Sequence, residues 1–269
     1  MIPKIIHYCW LSGEPYPDKV RECIDSWRNM LPDYIIRLWD INSFDINSID
    51  FVKEAVSIKK WAFAADFIRL YALYTEGGIY LDSDVLVKKT FNPFLINDFF
   101  SAVEYHPSCV EENKTLALLN EDGSSRRFGE RKPGIGLQAA VIGSVPNHKF
   151  LKDAMTWYTT NHFILQEGKL NNVFIAPDVL AMYAEKYGFR YVNKEQYLRE
   201  NMLILPSNII AGNLNDINDN AVAIHLIMNS WKSQTTSITF LSFIVDKLKM
   251  LVVVLRRKLC DILTNGKFK

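Results

Sequence analysis

Residues 4–10, KIIHYCW, form a short apolar run that predicts a buried strand, and the glycine- and proline-containing stretch 12–17 predicts the loop after it. Pro17 and Asp18 suit a first helical turn, where proline's missing N–H is not needed and a carboxylate faces the positive end of the helix dipole. A helix is therefore expected to about Met30. Residues 34–39 predict a second strand ending at Asp40. Strand, helix and strand at this spacing open an α/β unit.

A largely apolar stretch from about residue 59 predicts a helix stopped by Gly77 and Gly78, which tolerate left-handed dihedrals. Residues 79–81 then read as a short strand. Because side chains alternate faces along a strand, Asp82 and Asp84 should point the same way at its end. Further strands are expected at 99–104, 139–143, 202–206 and 221–226, and helices near 148–161 and 177–187. The charged segment 111–136 reads as a mobile loop over a site. No internal repeat is visible.

A chain of 269 residues that is 49% hydrophobic can bury a large core. We expect one main domain over 1–235 and a helical tail over 236–269. The net charge is only +1, which argues against nucleic-acid binding through bulk electrostatics. Residues 238–269 hold seven Lys or Arg against two Asp, a balance of +5 that leaves −4 for the rest. Cys9, Cys23, Cys109 and Cys260 lie far apart without zinc-ligand spacing, which fits a reduced, cytosolic compartment. The first ten residues meet Pro and Lys too early for a signal peptide, so the chain is expected to begin in its first strand. No apolar run approaches the roughly 20 residues that span a bilayer.

Two charges interrupt the central helix, Asp66 and Arg69, among Trp61, Phe63, Phe67, Ile68 and Leu70. Desolvating such a pair is costly without a purpose or a partner, and the plain alternative is a surface i,i+3 ion pair. Arg offers planar donors for phosphate and Asp accepts from sugar hydroxyls. The Asp82-Ser83-Asp84 pair is weak by itself, since 17 aspartates give about one such spacing by chance. At a strand end it suits a hard cation, Mg²⁺ or Mn²⁺, with open positions for phosphate oxygens; a solvated turn is the alternative. Trp10 at a strand tip could stack on a base or simply pack in the core. His225, Ser230 and Trp231 stand in AIHLIMNSW, where a lone histidine is equally consistent with core packing.

Together IPKIIHYCW, AADFIRLYALYTEGGIYLDSDV and IHLIMNSW resemble the family-32 glycosyltransferases, which include capsular polysaccharide enzymes and fungal Golgi mannosyltransferases, with a further likeness to glucosylating toxin domains. The resemblance implies an α/β fold of GT-A type, with a Rossmann-like mixed central sheet flanked by helices. It also implies a nucleotide-diphosphate sugar donor, Mn²⁺ or Mg²⁺, and retention at the anomeric carbon. On matching positions, Trp10 would stack on the base, Asp66 and Arg69 would hold the sugar and phosphates, and Tyr80 belongs to the same nucleotide-sugar set. Asp82 would approach ribose or metal, Asp84 and His225 would bind metal, and Ser230 with Trp231 would close over the diphosphate. Ala65 stands where the family usually has serine. The preferred donors are UDP-galactose or UDP-glucose, with GDP-mannose as the alternative, and the acceptor is a glycan or lipid-linked glycan of capsule or surface polysaccharide.

The tail mixes apolar residues with Lys247, Lys249, Arg256, Arg257 and Lys258. It reads as a basic amphipathic helix for peripheral attachment to the cytoplasmic membrane face through 238–269, or as a helix packed on protein. Two other classes compete for the whole chain. A haloacid-dehalogenase-type phosphatase would use Asp82 as phosphoryl acceptor and Asp84 as acid, and a glycan-binding scaffold would do no chemistry.

Overall fold

The computed structural model describes residues 1–212 and 217–227. The chain begins with β1 (Ile5–Cys9), α1 (Asp18–Met30), β2 (Ile35–Trp39), α2 (Asp50–Ser57), α3 (Trp61–Glu76) and β3 (Gly78–Leu81). It continues through β4 (Val85–Val87), β5 (Phe99–Tyr105), α4 (Pro107–Glu112), β6 (Ile135–Leu137) and β7 (Val141–Ser144). Then follow α5 (Lys149–Thr160), α6 (Ala176–Ala184), β8 (Gln196–Leu198), β9 (Met202–Leu205), β10 (Ile210–Ala211) and β11 (Ala223–His225).

The main sheet runs in the order β2-β1-β3-β7-β5-β9-β8, with β6 paired to β5. Strands β1, β2 and β3 are mutually parallel, as are β5 and β9, while β7 lies antiparallel between β3 and β5. The carboxyl ends of β1, β3 and β5 therefore share one edge, the usual place for a ligand in an open α/β sheet. Helix α1 buries Val20, Ile24 and Trp27 with Phe91 and Phe100 on one side, while α2, α3, α5 and α6 contribute Phe51, Phe67, Phe150 and Leu180 to the other core. This mixed sheet between helical layers is the expected α/β architecture.

The double glycine does more than end α3. Gly77 and Gly78 have φ of +65° and +110°, and a Cβ on Gly78 would lie 2.6 Å from the Ile5 carbonyl oxygen. Beside it, the buried His7 joins two elements: Trp39 Nε1 donates to its Nδ1 at 3.0 Å, and its Nε2 bonds the Gly77 carbonyl at 2.8 Å. The α3–β3 corner is thus pinned to β1 and β2.

Several expectations change. Strand β3 ends at Leu81, and residues 82–84 form a turn closed by Val85 N–H to the Asp82 carbonyl, 3.0 Å. Turn geometry rather than strand alternation sets the two aspartates. Residues 139–140 precede β7 instead of opening it, and 185–187 form a 3₁₀ turn after α6. Segment 111–136 is irregular over most of its length with half of its residues exposed, but Thr115, Leu119 and Lys132 are buried and anchor it. A second three-stranded sheet, β10-β11-β4, was not foreseen. The tail over 236–269, with its proposed boundary and membrane contact, lies outside the described residues, as do Ser230, Trp231 and Cys260.

Candidate active site

Helix α3 carries Asp66 and Arg69 on its inward face, at 9% and 4% exposure, which removes the surface-pair reading. Arg69 Nη2 donates to Asp66 Oδ1 at 2.8 Å, Nη1 to the Ala139 carbonyl at 2.7 Å, and Nε to the Ala65 carbonyl at 3.3 Å. Nη1 also lies 3.2 Å from Asp82 Oδ1. The guanidinium rests 4.7 Å from the centre of the Tyr80 ring, and Tyr80 donates its hydroxyl to Asp82 Oδ1 at 2.9 Å. Most of the arginine's five donors are therefore spent inside the protein.

Burial works against the Arg69 charge, yet Asp82, Tyr80 and Asp66 around it hold its pKa well above the ordinary value. Burial pushes the Asp66 carboxyl up to about 7, with Arg69 pulling the other way. The same burial raises the Tyr80 hydroxyl far above its usual range and keeps it a donor to Asp82. A buried pair of this kind needs its remaining polar atoms satisfied, and the two main-chain carbonyls do this for Arg69.

The second part of the site comes from the small sheet. Strand β11 runs antiparallel to β4 with His225 opposite Val85, so the histidine arrives beside the aspartate turn. His225 Nε2 is 3.3 Å from Asp84 Oδ1, and Leu226 N–H donates to the Asp84 carbonyl at 3.1 Å. Burial disfavours charge on His225, but the Asp84 hydrogen bond and charge outweigh it and raise the imidazole pKa. Ligand atoms of Asp82, Asp84 and His225 all fall within 4.8 Å of one another. Two carboxylates and an imidazole at that spacing can converge on one divalent cation; the imidazole suits Mn²⁺ better than Mg²⁺.

Trp10 sits just past β1 on the same edge, half-buried, with its indole N–H on the Glu14 carbonyl at 2.6 Å and its ring edge-on to Tyr16 at 5.0 Å. The structure thus brings together Asp66, Arg69, Tyr80, Asp82, Asp84 and His225. Glu104, Arg131 and Asp178, none singled out from the sequence, also make polar contacts, Glu104 with His106 and Arg131 with Asp178. Arg131 and Asp178 are 47 residues apart and only the fold pairs them.

Comparison with known proteins points to a sugar-transferring enzyme of the DXD class. Residues 17–101, from α1 through the aspartate turn into β5, match the family described as glycosyltransferase sugar-binding region containing DXD motif. The match covers 85 of the chain's 269 residues. An uncharacterized glycosyltransferase of Acanthamoeba polyphaga mimivirus is 28% identical over 172 residues, covering 60% of this chain and 68% of its own. Inositol phosphoceramide mannosyltransferase 3 of Schizosaccharomyces pombe is 35% identical over 127 residues, 44% of this chain, which spans 32% of that protein. Among solved structures the PaToxG glycosyltransferase aligns over 69% of both chains at 19% identity with a TM-score of 0.49. This class displaces the phosphatase and scaffold alternatives. Asp82, tied by Arg69 and Tyr80, is also poorly placed to accept a phosphoryl group. Among the described residues no helix is long and apolar enough to cross a membrane.

Proposed function

We propose that the protein is a metal-dependent, retaining hexosyltransferase that moves a sugar from a nucleotide diphosphate to a glycan or lipid-linked glycan of a capsule or surface polysaccharide. The observation that carries this reading is the convergence of Asp82, Asp84 and His225 within 4.8 Å. These three would hold Mn²⁺ or Mg²⁺, which when bound offsets negative charge on the diphosphate. Arg69 fixes Asp82 and Asp66 more than it grips phosphate. Asp66 is left to accept from a hydroxyl of the donor sugar, and Trp10 offers its ring to the base, with Tyr80 holding Asp82 in place. Ser230 and Trp231 are proposed to close over the diphosphate.

A front-face route fits these groups. The bond from the anomeric carbon to the diphosphate oxygen breaks and its electron pair leaves with the diphosphate. The acceptor oxygen bonds the same face of that carbon, and its proton passes to the departing diphosphate. Arg69 contributes positive charge beside this site. UDP-galactose and UDP-glucose are the preferred donors; GDP-mannose, the alternative, stays in the test because a Schizosaccharomyces pombe relative is named a mannosyltransferase. Reaching a lipid-linked acceptor at the cytoplasmic membrane face is assigned to residues 238–269, on their balance of +5.

The test is cleavage of these three donors by purified protein with Mn²⁺, with and without EDTA. Metal-dependent release from one donor, with the sugar transferred in its original anomeric configuration, is the expected result. Equal release in EDTA, or an inverted product, would contradict the reading.

A further inference from the structure

Beyond the donor groups, β5 ends in a second polar cluster. Glu104, near the carboxyl end of β5, pairs in register with Gly136 of β6, and its Oε1 lies 3.2 Å from His106 Nε2. Gly136 in turn lies against the start of α6, where any Cβ would come within 3.0 Å of the Pro177 carbonyl. That close approach brings Glu104 toward Asp178, the third residue of α6. Asp178 is more than nine-tenths buried; its Oδ2 accepts from Arg131 Nε at 2.7 Å and from Ile175 N–H at 3.3 Å. Its Oδ1 has no hydrogen bond among the described residues, nor do the two terminal nitrogens of Arg131.

The position of Glu104 is the informative part. Glu104 lies near the carboxyl end of β5, on the sheet edge that also carries the end of β3 and the aspartate turn, and β6 links it to the start of α6, which bears Asp178. Its hydrogen-bond partner is the imidazole of His106, one-third exposed. A carboxylate kept only 19% exposed and a buried carboxylate with an orphan oxygen both cost stability unless polar groups satisfy them. Sugar hydroxyls both donate and accept, and satisfy such a mixed set.

We propose that Glu104, Arg131 and Asp178 form the acceptor-sugar subsite. Glu104 accepts a hydrogen bond from a hydroxyl next to the one that attacks, Asp178 Oδ1 accepts from another hydroxyl, and the Arg131 terminal nitrogens donate to ring or hydroxyl oxygens. This rests on the glycosyl-transfer reading above. The proton of the attacking hydroxyl goes to the diphosphate; Glu104 orients the acceptor sugar through a neighbouring hydroxyl and takes no proton.

The experiment measures transfer from UDP-galactose, UDP-glucose or GDP-mannose, with Mn²⁺, to octyl β-glucoside, octyl β-galactoside and octyl α-mannoside. Glu104→Gln keeps size and removes the charge. Losing one charge-assisted hydrogen bond should raise the acceptor KM about tenfold while the donor KM moves less than about threefold. Arg131→Lys keeps the charge but loses the fork, and should give a smaller rise in the same constant. Thermal melting checks that both variants fold. An unchanged acceptor KM, equal rises in both constants, or a wild type that cleaves donor but uses no acceptor would overturn the subsite. Absence of metal-dependent donor cleavage in the wild type would remove the function reading itself, and this proposal with it.

Discussion

Arg69 of α3 stands 3.2 Å from Asp82, beyond the end of β3, and so ties the buried helix to the first carboxylate of the aspartate turn. Tyr80 completes the hold with a hydrogen bond of 2.9 Å to the same oxygen. Asp82 therefore faces the cluster in a fixed orientation before any ligand arrives, which lowers the ordering cost of binding.

Tyr80→Phe removes that bond without emptying space. We expect Mn²⁺ affinity to fall about tenfold, in the range seen when groups supporting metal ligands are lost. Stability should drop by about 1 kcal/mol. Titration with Mn²⁺ in the presence of UDP and a urea melt read the two effects separately.

Arg69→Met would leave Asp66 buried with no cation. Breaking a buried pair from one side costs about 3–5 kcal/mol, and the urea midpoint should fall accordingly. The double change Arg69→Met with Asp66→Leu should recover much of the loss and yet remain inactive, separating the structural from the chemical role.

His7 predicts a pH dependence of folding. Burial lowers its pKa below the ordinary 6.5, and protonating Nδ1 would break its bond with Trp39. The folded state then binds fewer protons than the unfolded chain. Its contribution is fully present above pH 6.5 and is lost as pH falls below that value toward the folded pKa. The slope is at most about 1.4 kcal/mol per pH unit from this group. Urea midpoints between pH 7.5 and 5.5 should fall in the wild type, and fall less steeply in His7→Gln, which starts from a lower value.

Gly78→Ala tests the corner. The new Cβ meets the Ile5 carbonyl oxygen at 2.6 Å and must adopt φ near +110°. A loss of about 2–4 kcal/mol is expected. Gly13→Ala, with φ +69° but open space around it, should lose less, and thermal melting of the two variants makes the comparison.

What the sequence disclosed follows from how local each signal is. Asp66 and Arg69 stood out because two charges in an apolar helix are a local anomaly, and the double glycine announced its corner in the same way. The convergence of His225 on Asp84 was implied only by family likeness, because it depends on pairing β11 with β4 across the chain. Glu104, Arg131 and Asp178 left no local trace: each is an ordinary charged residue until β6 brings β5 against α6. Helix α2 was missed because its eight residues lie just beyond a run of Asp, Asn and Ser turns. The strands β4, β8 and β10, of two or three residues, are too short for any period to register.

The central claim is that Asp82, Asp84 and His225 act as one divalent-cation site. Mn²⁺ titration in the presence of UDP, followed by electron paramagnetic resonance, tests it most directly. The account predicts one Mn²⁺ bound per chain, with affinity reduced at least about tenfold in His225→Ala and binding lost in Asp84→Ala, both variants melting as cooperatively as the wild type. Unchanged Mn²⁺ binding in folded Asp84→Ala would contradict it.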